Sequence, residues 1–413
     1  MEQNLHHEER LFLEEVTLSG YKSIFDTRIT FNKGINIIIG KNAVGKTNFF
    51  TFLFKALNFS YKDLFEFKSK ITIRNGKRII VETNNALNIQ SFIESRAVST
   101  NRIKSKAFID NTLLVDTEDL SADLKTELLI KNILLTPAFI GHGIPKDYLL
   151  VDQPFSFEIN IHGFPPELFV LVMGNNNLPY FIKSILTGLL YLSYPYNKAE
   201  ASHQKELIKQ KIANFFDVVN TIKPYLIKIS PIEDIQFNGD YNIFEDDKGR
   251  YTIKNLFLEF LIDGFWHPFS NLSDGTKRLF YIVSEVAFDS KYYFTNTGIS
   301  IPEYYNISRI ILIEEPELGI HPHQLHELML FLKEQSRRKQ IIITTHSPQV
   351  LDILNKDELG NIIIASYEKG EGTKLRHLDG EEIAKAQQYM EEDYLGDYWR
   401  FSDLEKEKTQ ATL

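Results

Sequence analysis

The stretch that leaves this chain the fewest choices is Gly40-Lys41-Asn42-Ala43-Val44-Gly45-Lys46-Thr47. It follows the apolar run Ile35-Asn36-Ile37-Ile38-Ile39 and opens Asn48 to Phe59, which holds no Gly or Pro. Strand, glycine-bearing loop and helix start, in that order, are the setting in which G-x-x-x-x-G-K-[ST] holds phosphate. Glycine at 40 and 45 lets the backbone fold tightly, so that successive N–H groups converge on an anion. The helix that follows adds its partial positive end. Lys46 is placed to reach the β- and γ-phosphates, and the Thr47 hydroxyl to hold Mg2+. The expectation is a nucleotide seated on Gly40 through Asn48. An ordinary strand-to-helix turn with an accidental lysine does not account for the flanking pattern.

The rest of the chain sets bounds on what that loop serves. At 413 residues, with 43% hydrophobic residues including 31 Phe and 19 Tyr, it can bury a sizeable core. Its 46 Lys+Arg against 55 Asp+Glu give a formal charge of -9. An acidic chain is not a general polyanion binder, so any DNA contact requires a local patch. Cysteine is absent, which excludes disulfides and thiolate metal sites. The polar start, Met1 to Arg10, has no apolar signal segment, and the most apolar window, Leu178 to Tyr194, is broken by Lys183 and too short for a bilayer. A cytoplasmic protein without membrane contact is expected.

Leu11 to Phe31 reads as two strands around a turn at Ser19-Gly20. Phe49, Phe50, Leu53, Phe54 and Leu57 make the helix after the loop apolar on a broad face. Ile71 to Glu82 forms a hairpin about Asn75-Gly76, Ala107 to Val115 a second, and Ser121 to Leu135 a helix. Tyr148 to Val151 is a strand, Pro165 to Lys223 is mostly helical with a charged helix over Ala199 to Asn220, and strands return between Tyr225 and Trp266. Helix and strand then alternate: helix 276–289, strand 309–313, helix 322–336, strand 340–344, helix 348–354 and strand 361–366. That alternation predicts an α/β fold with a largely parallel sheet. The expected parts are residues 1–155, a mostly helical insert at 156–224, and residues 225–413.

Three further stretches carry chemistry. The buried strand Ile310-Ile311-Leu312-Ile313 delivers Glu314-Glu315-Pro316-Glu317 at its end. Adjacent acids there suit magnesium-assisted phosphoryl transfer, with Glu314 on Mg2+ and Glu315 on the attacking water. The strand Ile341-Ile342-Ile343-Thr344-Thr345 ends at His346, which can hydrogen-bond a γ-phosphate. Ser273 and Gly275, in Leu272-Ser273-Asp274-Gly275-Thr276, open a helix; they make either an anion site or a plain N-cap. His321, His323 and His326 have the spacing of a zinc cluster, but His321-Pro322 reads better as the loop after the acids. Basic residues cluster around Lys77 and Arg78 and around Lys104 and Lys106; solvated faces and DNA contact both account for them.

Taken together these stretches resemble the ABC-type ATPase heads of the SMC, RecF and OLD families, over most of the chain outside the helical insert. The resemblance implies an ABC-type P-loop head with a mostly parallel sheet, an antiparallel β subdomain and a helical insert. It makes Gly40 to Thr47 the Walker A loop, Leu272 to Gly275 the signature, Glu314-Glu315 the Walker B pair, Glu317 to His321 the D-loop and His346 the switch. Gln153, after a strand similar to that of the SMC Q-loop, becomes the glutamine on Mg2+ and the γ-phosphate, with Gln90 as the other candidate. Ala43 departs from the glycine usual in SMC loops, and the insert is too short for an SMC arm. Residues 347–413 lack the strand-borne acids of an OLD nuclease domain. Leu395-Gly396-Asp397-Tyr398-Trp399-Arg400 is similar to the tail of stand-alone ATPases in PARIS and Septu anti-phage systems. The implied protein hydrolyses ATP, closes as a head-to-tail homodimer or higher homo-oligomer with Ser273 meeting the partner's loop, and works with a separate effector in defence or DNA maintenance. The other readings are a nucleotide-gated scaffold with little turnover and a transporter's nucleotide-binding subunit.

Overall fold

The computed structural model describes residues 11–58, 60–61, 66–86, 102–117, 135–143, 155–159, 204–245, 251–287 and 308–402. In chain order the first elements are β1 (Phe12–Tyr21), β2 (Ile24–Thr30), β3 (Ile35–Ile39), α1 (Lys46–Leu57), β4 (Phe67–Asn75), β5 (Lys77–Ala86), β6 (Arg102–Ile109), β7 (Thr112–Thr117) and β8 (Leu135–Ile140). Then come β9 (Phe155–Ile159), α2 (Gln204–Ile229), β10 (Asp234–Phe237), β11 (Asn242–Glu245), β12 (Tyr251–Leu256), β13 (Leu258–Ile262), β14 (Phe265–Pro268) and α3 (Asp274–Ala287). The last are β15 (Ser308–Glu314), α4 (Pro322–Ser336), β16 (Gln340–Thr345), β17 (Ile362–Glu368), β18 (Gly372–His377), α5 (Gly380–Tyr389) and α6 (Leu395–Phe401). The chain divides into two compact units, one of Met1–Gly141, Tyr304–Glu317 and Leu332–Leu413, the other of His142–Glu303 and Leu318–Phe331.

The first unit is built on one twelve-stranded sheet, in the order β7-β6-β5-β4-β1-β2-β18-β17-β3-β16-β15-β8. From β17 to β8 the neighbours run parallel, and from β7 to β17 they run antiparallel. The parallel strands are the isoleucine runs, buried along β3, β15 and β16 as strands covered on both faces must be. The result is an α/β unit whose parallel core and antiparallel wing are one sheet. Register decides what happens at its edge. Glu314 lies opposite Thr344, Thr344 opposite Ile38 and Thr345 opposite Ile39. The loop after β3, the acids after β15 and the histidine after β16 therefore leave the sheet at the same end, where ligands sit in open α/β sheets.

Helix α1 packs on this sheet through Phe49, Phe50, Phe52, Leu53, Ala56 and Leu57, all buried. Phe52 meets Phe67 at 5.2 Å and Tyr21 at 5.5 Å between ring centroids, and Phe54 meets Phe139 of β8 at 5.5 Å. Each such ring contributes about 1.5–3 kcal/mol on burial, so the helix that follows the loop is firmly seated.

In the second unit, β10-β13-β14 and β11-β12-β9 form two three-stranded antiparallel sheets, and α2 packs against α3. Phe280 of α3 stands edge-on to Phe260 of β13 at 5.0 Å and contacts Phe269 at 5.6 Å, which fixes the start of α3.

Several expectations change. The β1–β2 turn is Lys22-Ser23, closed by Tyr21 opposite Ile24, not Ser19-Gly20, because Lys22 takes the left-handed backbone the turn needs (φ 50). Helix α2 continues through Pro224 to Ile229 where a strand was expected from Tyr225. Val219, Ile222, Leu226 and Ile229 fall on one buried stripe, and that burial outweighs the missing proline donor. Residues 135–140, the start of which was expected to end a helix, form the sheet strand β8. Pro348–Ile353 is a 3-10 turn rather than an α-helix. The strand expected at 148–151, Gln153, most of the helix 121–135 and the helices before residue 204 lie outside the described residues.

Candidate functional site

The phosphate loop owes its shape to what crowds it. A Cβ at Gly40 would lie 2.2 Å from the carbonyl oxygen of Ala365 on β17. At Gly45, the N-cap of α1, φ is 101 and a Cβ would lie 2.2 Å from Thr373 Oγ1 and 2.8 Å from Ser23 Oγ. At Gly40 the clash is with backbone that cannot give way, and at Gly45 crowding by two side-chain hydroxyls adds to the left-handed backbone, so glycine is favoured locally at both positions. Thr373 Oγ1 and Asn48 Nδ2 both reach Ser23 Oγ, at 2.8 and 3.0 Å, which ties the loop to the β1–β2 turn and to β18. Lys46 Nζ donates to the carbonyls of Gly40 at 2.6 Å and Lys41 at 2.8 Å, so the ammonium is held across the loop. Val44 turns into the core instead. Asn42, Ala43, Gly45, Lys46, Thr47, Asn48 and Glu315 line one hollow of about 230 Å3.

The acids come from β15. The Thr47 hydroxyl donates to Glu314 Oε1, and Glu314 is buried. A hydroxyl and a carboxylate side by side are hard oxygen donors of the kind Mg2+ takes, so the residues fit that ion. Glu315 has a left-handed backbone (φ 45) and its N–H donates to Thr344 O at 2.8 Å. A non-glycine residue in that region is strained, and here the strain swings Glu315 out of the strand to the wall of the hollow. His346 Nδ1 stands 3.3 Å from Glu315 Oε1 and 3.4 Å from Glu317 Oε1. The structure thus brings together Lys46, Thr47, Glu314, Glu315 and His346 from three strand ends.

The arrangement of a glycine-bearing loop, a hydroxyl–carboxylate pair and a histidine on the second acid is accompanied by a match over most of the sequence. Residues 35–352 fit the family model described as "AAA domain, putative AbiEii toxin, Type IV TA system". The chain belongs to this AAA-domain family. Among individual proteins it is similar to Septu protein PtuA of Bacillus thuringiensis, 22% identical over 352 residues that cover 84% of this chain and 75% of the relative. Solved structures with similarity include the SMC head domain from Thermotoga maritima (TM-score 0.43, 11% identity, 89% of this chain and 99% of that one). The Smc head domain from Pyrococcus furiosus, bound to the C-terminal domain of ScpA, gives a TM-score of 0.47 at 14% identity over 92% of this chain and 100% of that one.

The remaining predicted residues of this AAA-domain chain are placed as follows. Ser273 Oγ accepts from Thr276 N at 3.2 Å and lies 2.8 Å from Thr276 Oγ1, so it caps α3. A Cβ at Gly275 would lie 2.5 Å from the carbonyl oxygen of Gly319, which gives that glycine a packing reason within the second unit. Gln153 lies outside the described residues. On the side of β15 away from β16 the described strand is β8, which ends at Ile140 and is followed by Gly141-His142. No helix among the described residues is long and apolar enough to cross a membrane, and no group of three or more His, Asp or Glu among them, His321, His323 and His326 included, is arranged to hold a metal ion.

Of the basic residues, Arg78, Lys104 and Lys106 share one face of the antiparallel wing with Lys68 and Lys70, since Lys68 and Lys104 flank Asn84 and Lys70 and Lys106 flank Glu82. Lys77 alternates to the other side, next to the Gly76 turn. Ser23, Thr345, Thr373 and the part played by Glu317 escaped the sequence reading. Only Thr345 carried a signal, as a hydroxyl directly before the strand-end histidine.

Proposed function

We propose that this chain is a Mg2+-dependent ATPase whose heads pair when ATP binds. The observation that carries the reading is the convergence of Lys46, the Thr47–Glu314 pair and the Glu315–His346 pair at one end of the sheet. The loop N–H groups and Lys46 bind and orient the triphosphate of ATP. Thr47 and Glu314 would hold Mg2+, which when bound supplies charge neutralisation on the phosphate oxygens. Glu315, on the wall of the hollow, accepts the proton of the attacking water. His346, with Nδ1 turned to the two acids, presents Nε2 to the γ-phosphate. Gln153 completes the contacts to that end of the nucleotide.

Ser273 and Gly275 serve the loop of a second copy, in a head-to-tail homodimer with two mixed sites. The similarity to Septu protein PtuA supports a role as the ATPase subunit of an anti-phage defence system acting with a separate effector. The basic face of the wing offers a DNA contact through Arg78, Lys104 and Lys106, to which Lys77 adds charge from the Gly76 turn on the other side.

Glu315→Gln tests the core of this reading. Turnover should fall by roughly 10²–10⁴ while ATP affinity is kept, the range for loss of a general base. Wild type that binds ATP tightly but turns over no faster than Glu315→Gln would establish the nucleotide-gated scaffold instead.

A further inference from the structure

Glu317 has a role separate from its neighbours' and readable from its contacts. Its Oε1 accepts the Thr345 hydroxyl at 2.5 Å, the His346 N–H at 3.2 Å and, at 3.3 Å, the Ser347 N–H that Thr345 Oγ1 also accepts at 2.9 Å, and it stands 3.4 Å from His346 Nδ1. Its Oε2 is buried without a hydrogen-bond partner, and the side chain is only 9% exposed. Desolvating a carboxylate is costly, and here all the compensation falls on one oxygen. Oε1 is saturated and Oε2 is closed off. Glu317 also does not line the hollow that Glu315 faces. A proton-accepting role is therefore poorly served, whereas a mechanical one is well served. Glu317 lies three residues beyond the end of β15, and Thr345 to Ser347 leave the end of the neighbouring strand β16.

We propose that Glu317 is a positioning residue that pins the Thr345–Ser347 turn by its one accepting oxygen and so holds His346 against Glu315. The part of this concerning turnover rests on the ATPase reading above; the pinning itself does not. What matters for pinning is an acceptor oxygen at the right reach, not the negative charge. Gln keeps the length and offers a carbonyl oxygen that can accept the same N–H groups. Asp keeps the charge but withdraws it by one methylene. Ala removes both.

The test uses full-length Glu317→Gln, Glu317→Asp and Glu317→Ala, measured in two ways. In amide hydrogen exchange without nucleotide, the His346 amide should exchange about 10- to 100-fold faster in Ala and Asp, the effect of losing a hydrogen bond to a charged group, and stay near wild type in Gln, while the Ser347 amide, which Thr345 Oγ1 also accepts, should speed up less. In steady-state assays, kcat should drop by about the same factor in Ala and Asp, and less in Gln, with ATP affinity within about twofold throughout because the loop is untouched. The order Gln above Asp in both measurements supports positioning. The reverse order, Asp above Gln, or a Gln variant as slow as Glu315→Gln, would mean that charge or proton transfer at Glu317 matters, and the proposal fails. Unchanged exchange at residues 346 and 347 in all three also overturns it. Should Ala not fold, the Gln-against-Asp order still decides. Should the wild type show no turnover, the ATPase reading falls while the exchange order still judges the pinning.

Discussion

Ala43 and Gly45 both take left-handed backbone inside the phosphate loop, with φ 65 and 101, yet only one of them is glycine. Ala43 is exposed, so its strain is confined to the backbone, about 1–2 kcal/mol. Gly45 would add a clash with Thr373 and Ser23 to that strain. Gly45→Ala should therefore destabilise by about 1–3 kcal/mol and weaken ATP binding, whereas Ala43→Gly should leave stability equal or raised. Denaturant unfolding of the two variants checks this; a Gly45→Ala protein no less stable than wild type would contradict it. The loop residues were legible in the sequence because their chemistry is local and its spacing fixed. Thr373 and Ser23 were not, since two hydroxyls 350 positions apart leave no periodic trace.

At the scale of elements, the sequence was legible where burial has a simple period. The isoleucine runs of β3, β15 and β16, helix α4 and the Asn75-Gly76 hairpin all follow from it. It failed where tertiary contact overrode a local signal, as at Pro224 in α2, where an apolar stripe held the helix together. The tail stretch from Leu395 to Arg400 gains a structural meaning of this kind. Helix α6 lies on the 3-10 turn Pro348–Ile353 just after the histidine, Gly396 N donates to Asp352 Oδ1 at 2.7 Å, and a Cβ there would lie 2.7 Å from Pro348 O. The antiparallel wing shows how much charge a face really offers. Lys70 is paired with Glu82 at 3.0 Å, Arg74 with Glu14 at 2.6 Å and Lys106 with Asp116 at 2.9 Å. Reversing Lys77, Arg78, Lys104 and Lys106 to Glu should abolish any DNA binding while leaving basal ATPase intact, and any wild-type binding should weaken steeply with salt. Gel-shift titrations at low and moderate salt read this out. Absence of wild-type binding at low salt, with and without ATP, would leave the face to a protein partner.

At the scale of the whole molecule, this is an AAA-domain chain with net charge -9. Each chain carries Lys46, Glu315 and His346 on its first unit and Ser273 at the start of α3 in its second. In the proposed head-to-tail dimer, a complete site joins the first set from one copy to Ser273 of another. The absence of native cysteine makes that claim directly measurable. Ser273→Cys and Asn42→Cys, combined in the Glu315→Gln background, place the only two thiols of the protein at the capping serine and on the exposed rim of the loop. A short bis-maleimide should then give a species of about twice the 48.0 kDa chain mass on a denaturing gel, with ATP and Mg2+ present and not without them. Neither single substitution should yield it. A result in which ATP is bound but the chains are linked only within themselves, or not at all, would contradict the shared site.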